Sequence, residues 1–318
     1  MKINRCLYCY KELSEGEIDF HPKCSKVFFG TAIPPSLSLT VDELNNLAKE
    51  IIKRSVTIPG VQPKLSLSLT KNSDDPKKSR LTIVGLWGEY ILKPQSERFD
   101  SLPENEDLVM HLAEIAGIDT AQHSLLRTDT GQLAYITKRF DRIKGKKVPM
   151  EDFCQLAEVL SANKYKSTME KAGALITKYA SPSVRTTDLI KFFDIALFSF
   201  MVGNSDMHLK NFSIIKDDEN QYRLSPAYDL LSSNLAMPSD QEQSALHIHG
   251  KKNRIRRTDF FSMGTHIGLP EAIIEKTIAK YNKEVLNKFE EFTSISFLTD
   301  ELKERFIELM KSRFNVFL

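Results

Sequence analysis

Asp206 and Asn211, five residues apart in Asn204-Ser205-Asp206-Met207-His208-Leu209-Lys210-Asn211, and Asp229, in Tyr228-Asp229-Leu230, are side chains of the kinds that move a phosphoryl group. A carboxylate takes the proton of an attacking hydroxyl. An amide oxygen and a second carboxylate are hard ligands that suit magnesium, which in turn bridges nucleotide phosphates. Phe212–Ile215 and Tyr222–Leu224 flank Asp217-Asp218-Glu219-Asn220, a turn composition, so the chain doubles back as a hairpin and returns Asp229 toward Asn211. Asn211 and Asp229 are therefore expected to share a magnesium ion. Asp206 lies further out as the general base, Lys210 is within reach of a γ-phosphate, and His208 braces the loop. Asn and Asp are also favoured in ordinary turns, and either motif alone reads as one. Their joint spacing behind a buried helix selects the phosphoryl-transfer reading.

The Asp-x4-Asn spacing with a later metal-binding Asp is that of the protein-kinase catalytic loop. A kinase also needs a lysine on a strand for the α- and β-phosphates. Lys93 closes the run Tyr90-Ile91-Leu92-Lys93 before Pro94 and is the candidate, with Glu106 as its partner and Glu104 and Asp107 as competitors. The alternative fate of Lys93 is a strand-end lysine in water. Gly60-Val61-Gln62-Pro63-Lys64 supplies a glycine for close backbone approach and donors at Gln62 and Lys64. It is not a Walker A loop, and an ordinary surface loop is the competing reading.

These residues need elements to position them. Thr187–Val202 is almost continuously apolar and predicts a buried helix that delivers the 203–211 loop. Residues 41–54 carry a helical stripe at 44, 47, 48, 51 and 52. Leu65-Ser66-Leu67-Ser68-Leu69-Thr70 alternates as a half-buried strand; Leu81–Val84 and Tyr90–Lys93 follow as strands. Pro103-Glu104-Asn105-Glu106 opens a helix running to Gly117. Ser124–Arg127 and Leu133–Phe140 form a hairpin around Asp129-Thr130-Gly131, and 270–290 and 299–314 are closing helices. The expected fold is α+β and bilobal, protein-kinase-like, with a Cys/His-containing segment over 1–30, a strand-rich N-lobe over 31–140 and a mostly helical C-lobe over 141–318. A nucleotide cleft is expected between the lobes.

With 318 residues, 41% apolar and 27% charged, the chain has the composition of a soluble globular protein. Its net charge of +2 gives no reason to expect direct nucleic-acid binding, and no apolar run approaches membrane-spanning length. No signal peptide is read at the N-terminus, and four cysteines do not make a disulfide scaffold, so the cytoplasm is the expected compartment. The basic stretch Lys251-Lys252-Asn253-Arg254-Ile255-Arg256-Arg257 reads as a solvated turn followed by an amphipathic strand. Cys6-x2-Cys9-x11-His21-x2-Cys24 has the ligand types and pair spacings of a Cys3His zinc site. It equally reads as a small reduced packing unit, with the cysteines as buried hydrophobes and His21 bonded to backbone. Cys154 falls in an apolar helical pattern and is assigned to the core.

Several motifs in sequence order resemble the HipA-type Ser/Thr kinases, toxins of bacterial toxin–antitoxin modules. They are Gly60-Val61-Gln62-Pro63-Lys64, Ile91-Leu92-Lys93-Pro94, Glu104-Asn105-Glu106, Lys138-Arg139-Phe140-Asp141-Arg142, Glu151-Asp152-Phe153-Cys154-Gln155, the 204–211 loop and Tyr228-Asp229-Leu230, and the resemblance covers roughly residues 40–310. It implies ATP and magnesium, Asp206 as base, Asn211 and Asp229 as metal ligands, and Lys93 as phosphate lysine. It also implies Lys138 and Phe140 at the adenine-contacting hinge and Gln155 near the nucleotide. Lys138 stands where the family has an acidic residue, at a hinge that works through backbone groups. Family members phosphorylate an aminoacyl-tRNA synthetase and autophosphorylate before the Gly-x-Gln motif; Thr57 matches that position and Ser55 is the second candidate. The early Gly60 motif is similar to that of the short HipT-type variant, whose missing piece is a separate small protein, so an antitoxin and that small subunit are the implied partners. The readings this leaves beside a protein kinase are a catalytically silent nucleotide- or antitoxin-binding module and a kinase for a non-protein hydroxyl.

Overall fold

A computed structural model describes residues 4–37, 43, 44, 46, 47, 64–71, 79–84, 87–143 and 146–317. The chain divides into two compact units, Met1–Asp107 with Ala121–Gly145, and Leu108–Thr120 with Lys146–Leu318. Of the stripe expected over 41–54, residues 43, 44, 46 and 47 are described, and they are helical.

The first unit contains helix α1 (Pro22–Phe29), strands β1 (Leu65–Lys71), β2 (Ser79–Ile83) and β3 (Tyr90–Lys93), the start of α2 (Leu102–Ile115), and β4 (His123–Arg127), β5 (Leu133–Lys138) and β6 (Arg142–Ile143). Five of the strands form an antiparallel sheet in the order β2-β1-β3-β5-β4. The alternation read at 65–70 sends Leu65 and Leu67 inward, fully buried, with Leu92, Leu125 and Ile136. Leu67 pairs with Tyr90 and with Ile83, and Lys93 pairs with Tyr135. Gly131 turns the β4–β5 hairpin at φ 83°, a conformation that costs glycine nothing. The sheet does not end on bare edges. The Leu125 N–H of β4 donates to the Leu7 carbonyl at 3.2 Å, and the Leu81 N–H of β2 donates to the Ser36 carbonyl at 2.9 Å. Phe28 and Phe29 of α1 pack on Tyr90 with ring centroids 5.8 and 5.9 Å away.

The second unit holds the end of α2, β7 (Lys146–Lys147), β8 (Met150–Asp152), α3 (Phe153–Leu156), α4 (Met169–Tyr179), α5 (Arg185–Met201), β9 (Ser213–Lys216) and β10 (Tyr222–Leu224). The helices α6 (Ser233–Ala236), α7 (Arg257–His266), α8 (Glu271–Lys280), α9 (Lys283–Ser294) and α10 (Asp300–Phe314) complete it. Helix α5 is the axis of this core: Phe192, Phe193, Leu197, Phe198, Phe200 and Met201 are all 1% exposed or less. Phe153, Phe192 and Phe212 stack together, which pins the start of β9 to α3 and α5. Strands β8, β9 and β10 form a small antiparallel sheet, and Asn220 turns the expected β9–β10 hairpin at φ 64°.

Two expectations change. The amphipathic strand read after the 251–254 turn is instead the start of α7, because the Asp259 carboxylate accepts the Arg256 N–H at 2.9 Å and the Lys251 ammonium at 2.8 Å, closing a helical first turn. The 270–290 helix is two helices. The break falls at Tyr281–Asn282, where Asn282 caps α9 by accepting the N–H groups of Glu284 and Val285. Among the described residues no helix is long and apolar enough to cross a membrane.

Candidate active site

Helix α5 ends at Met201, and Gly203 (φ 68°) turns the chain into the 204–211 loop. The loop is tied internally. The Asn204 side chain accepts the Asp206 N–H at 3.1 Å, and the Asn211 amide donates to the Asp206 carbonyl at 3.1 Å. Residues 209–211 form one 3-10 turn. Ser205 is held from outside: its N–H donates to Ser233 Oγ at 2.6 Å and its hydroxyl donates to Asp240 at 2.8 Å. The loop is thus rigid, and Asn211 spends its N–H2 on the backbone, which leaves its amide oxygen for another partner.

The Asp206 carboxylate accepts the Tyr165 hydroxyl at 2.5 Å. The Tyr165 ring in turn meets His208 edge-on at 5.1 Å. His208 is 5% exposed, and its Nδ1 is buried without a hydrogen-bond partner. Burial drives its pKa down to about 4, against the opposing charges of Asp206 and Asp229. His208 is therefore a neutral ring at pH 7. It braces the loop by packing, not by the ring-nitrogen hydrogen bonds expected from the sequence. The charges of both Asp206 and Asp229 are felt at this one ring.

The β9–β10 hairpin brings Asp229 there, and Tyr228 locks the return. The Tyr228 hydroxyl donates to the Lys210 carbonyl at 2.9 Å and lies 2.6 Å from Ser213 Oγ. Asp229 takes φ 55°, a left-handed backbone that is uncommon for any residue with a Cβ. Lys210 is salt-bridged to Asp152 at 2.8 Å. Asp152 and Gln155 form a reciprocal capping box at the start of α3, each side chain accepting the other's N–H at 2.9 Å. This puts Gln155 in the same neighbourhood as Lys210. A cavity of about 630 Å³ in this unit is lined by Lys147, Pro149, Glu151, Tyr179 and Tyr222 among others, and none of Asp206, Asn211 or Asp229 borders it. The carboxylates and amide define the site by their chemistry.

In the first unit Lys93 is 1% exposed, its ammonium 2.5 Å from Glu106 and 5.3 Å from the Tyr135 ring centroid. The choice among the three acids of α2 is settled by their other contacts. Asp107 accepts the Tyr10 hydroxyl at 2.7 Å and contacts His123 Nδ1 at 2.7 Å. Burial, with Asp107 adding to it, raises the Glu104 carboxyl to about 7. A fully buried ion pair is costly unless its geometry is good, so Lys93–Glu106 is the pair here that asks for a functional explanation. Lys138 is exposed at the end of β5, Phe140 follows half-buried, and Asp141 is clamped by Arg139 at 2.8 Å and Arg142 at 2.6 Å. Lys64 is exposed just before β1. Gly60, Gln62, Thr57 and Ser55 lie outside the described residues.

Cys6, Cys9, His21 and Cys24 are brought together: one ligand atom from each lies within 4.8 Å of the others. All are reduced, as is Cys154, which is buried elsewhere at the start of α3. Burial pushes the Cys24 thiol up to about 12, with the neighbouring sulfurs adding to it. For Cys6, burial is outweighed by the N–H groups of His21, Tyr8 and Cys9, and its pKa is lowered. Sequence reasoning missed Tyr165 and Tyr10, and named Tyr228 and Asp152 only within motifs, without a role. Tyr165 and Asp206 are 41 residues apart and Tyr10 and Asp107 are 97 apart, so no local pattern marks either pair.

The comparisons with known proteins bear on the fold and the family. The fold is α+β and kinase-like. Its likeness to HipA of Shewanella oneidensis, solved with HipB and its operator DNA, has a TM-score of 0.64 at 21% identity, over 84% of this chain and 69% of that one. The likeness to the Helicobacter pylori proinflammatory kinase CtkA has a TM-score of 0.51 at 14% identity, over 80% of this chain and 95% of that one. Residues 56–289 match the model of the HipA-like C-terminal domain, and the chain belongs to that family. Y4dM of Sinorhizobium fredii, which bears a kinase name, is 31% identical over 246 residues, 73% of this chain and 58% of that protein. The serine/threonine-protein kinase toxin HipA of Shewanella oneidensis is 23% identical over 73% of this chain and 56% of its own length. The chain thus spans little more than half the length of these relatives.

Proposed function

We propose that this chain is an ATP- and magnesium-dependent serine/threonine protein kinase, the toxin of a toxin–antitoxin module. The observation that carries the reading is the rigid 204–211 loop, which sets Asp206 and Asn211 beside the neutral His208 ring on which Asp229 also acts. Asp206 accepts the proton of the acceptor hydroxyl as that oxygen bonds to the γ-phosphorus; the bond to the β–γ bridging oxygen breaks and ADP leaves. Tyr165 orients the carboxylate through its hydroxyl. The free amide oxygen of Asn211 and the Asp229 carboxylate form a hard donor set that fits magnesium and not a soft metal. When bound, the ion neutralises phosphate charge. Lys93, held by Glu106, is the phosphate lysine. Lys138 and Phe140 are assigned to the adenine, Gln155 and Lys210 to the phosphate side, and Gly60, Gln62 and Lys64 to a phosphate-covering loop.

The acceptor is a protein hydroxyl, of an aminoacyl-tRNA synthetase in the cytoplasm and of Thr57 or Ser55 in the chain itself. The Shewanella relative seen with HipB supports an antitoxin partner. The ion pairs Lys251–Asp259, Lys252–Glu242 and Arg257–Glu275 engage three of the five basic side chains of the 251–257 stretch, which supports the reading without direct nucleic-acid binding. Incubating the chain with labelled ATP, magnesium and cell lysate should label one protein and the chain itself. Asp206→Asn should lower both signals by roughly 10²–10⁴ while leaving nucleotide binding intact. Undiminished labelling by the variant would overturn the assignment.

A further inference from the structure

We propose that Cys6, Cys9, His21 and Cys24 bind one zinc ion, and that this centre fixes the N-terminal segment onto the five-stranded sheet.

The four ligands come from two pre-formed supports. Cys6 and Cys9 sit on a tight turn: the Tyr10 N–H donates to the Cys6 carbonyl at 2.9 Å, and the Cys6 N–H donates to the Lys11 carbonyl at 2.9 Å. Tyr10 closes the turn at φ 61°, so the backbone adopts an unfavourable conformation directly after the second sulfur. His21 is the N-cap residue of α1 and Cys24 lies in its first turn. The positive end of a helix favours a thiolate there.

The imidazole supplies the sharpest argument. His21 Nε2 is 2.9 Å from the Glu12 carbonyl. A carbonyl only accepts, so Nε2 carries a proton, and in the neutral ring Nδ1 is then the bare nitrogen. Nδ1 lies 3.5 Å from Cys9 Sγ and 3.7 Å from Cys24 Sγ. Zinc–nitrogen and zinc–sulfur bonds of about 2.0 and 2.3 Å at a tetrahedral angle require a nitrogen–sulfur separation of roughly 3.5 Å. The two distances therefore match the edges of a zinc tetrahedron, and the second ring nitrogen makes the backbone bond typical of a metal-bound histidine. A reduced packing unit would not need the bare nitrogen to face three sulfurs.

The centre is part of the first unit and not a loose appendage. Tyr10, next to Cys9, donates to Asp107 at 2.7 Å. Leu7, between the paired cysteines, accepts the Leu125 N–H and the Ser124 hydroxyl, both at 3.2 Å. Asp19, two residues before His21, is salt-bridged to Arg127 at 2.8 Å. Cys154 is not part of the cluster and serves as an internal control.

The test is metal analysis of the chain purified without added chelator, with cobalt(II) substitution. About one zinc per chain is expected, and cobalt should give the visible ligand-field bands of a tetrahedral thiolate site. Cys154→Ser should keep the full metal content; Cys9→Ser and Cys24→Ser should lose at least about tenfold in zinc affinity. A wild-type chain that holds no zinc and gives no tetrahedral cobalt spectrum would overturn the proposal, and so would full zinc retention in Cys9→Ser. Because the wild-type cobalt titration needs no variant to fold, the proposal stays testable if the serine variants aggregate. None of these readouts depends on the kinase assignment.

Discussion

A carboxylate and a phenol meet at 2.5 Å where Tyr165 reaches Asp206, and a neutral imidazole stands beside them. That arrangement restricts the rotamers of Asp206. Residue-level electrostatics also has a readable cost elsewhere. Glu104 is raised from 4.5 to about 7, chiefly by burial and then by Asp107, and one of its oxygens is buried without a hydrogen-bond partner. Between those two pH values the folded chain binds more protons at this site than the unfolded one, so stability falls as pH rises from about 4.5 to about 7. The loss should be on the order of 1–3 kcal/mol, at the low end because the side chain keeps some solvent. Glu104→Gln should remove that part of the slope. Urea midpoints for the two proteins at pH 5 and pH 8 check this; parallel pH profiles would refute it.

At the scale of elements, the hairpin from Asn211 to Asp229 works only if its two ends stay together. One phenol does that, donating to the Lys210 carbonyl and accepting from the fully buried Ser213 hydroxyl. Tyr228→Phe should therefore cost about 1–3 kcal/mol, since it strands buried polar groups, and should lower kcat more than it raises the KM for ATP. Steady-state kinetics beside a denaturation curve measures both, and unchanged kcat would show that the hairpin needs no such tie. The hairpin itself was legible in the sequence, as were the 65–70 strand and the buried helix ahead of the loop. Each is written in a local period or a turn composition. The tie was not legible, because a tyrosine hydroxyl looks the same in a sequence whether it meets water or a carbonyl 18 residues away. The 251–257 stretch was misread for a related reason. Its Lys251, Lys252 and Arg257 pair with Asp259, Glu242 and Glu275, none of which belongs to the stretch. The Cys/His spacing was visible but ambiguous, and the direction of the His21 ring is the observation on which the zinc proposal rests.

At the scale of the whole molecule, the 30 N-terminal residues that look like an accessory in the sequence are built into the first unit through Tyr10, Leu7 and Asp19. Removing the metal should therefore affect more than those residues. Leu7 supplies its carbonyl to the outer side of β4, the last strand of the sheet. Strand edges left without partners recruit other chains. Chelator treatment of the wild-type chain should produce concentration-dependent dimers or larger species in light scattering, reversed by added zinc; a monomer unchanged by chelation would contradict this. The short knuckle around Leu7 thus serves the sheet as a selvedge does a cloth: on the zinc proposal, a cell short of zinc would accumulate this protein as aggregates.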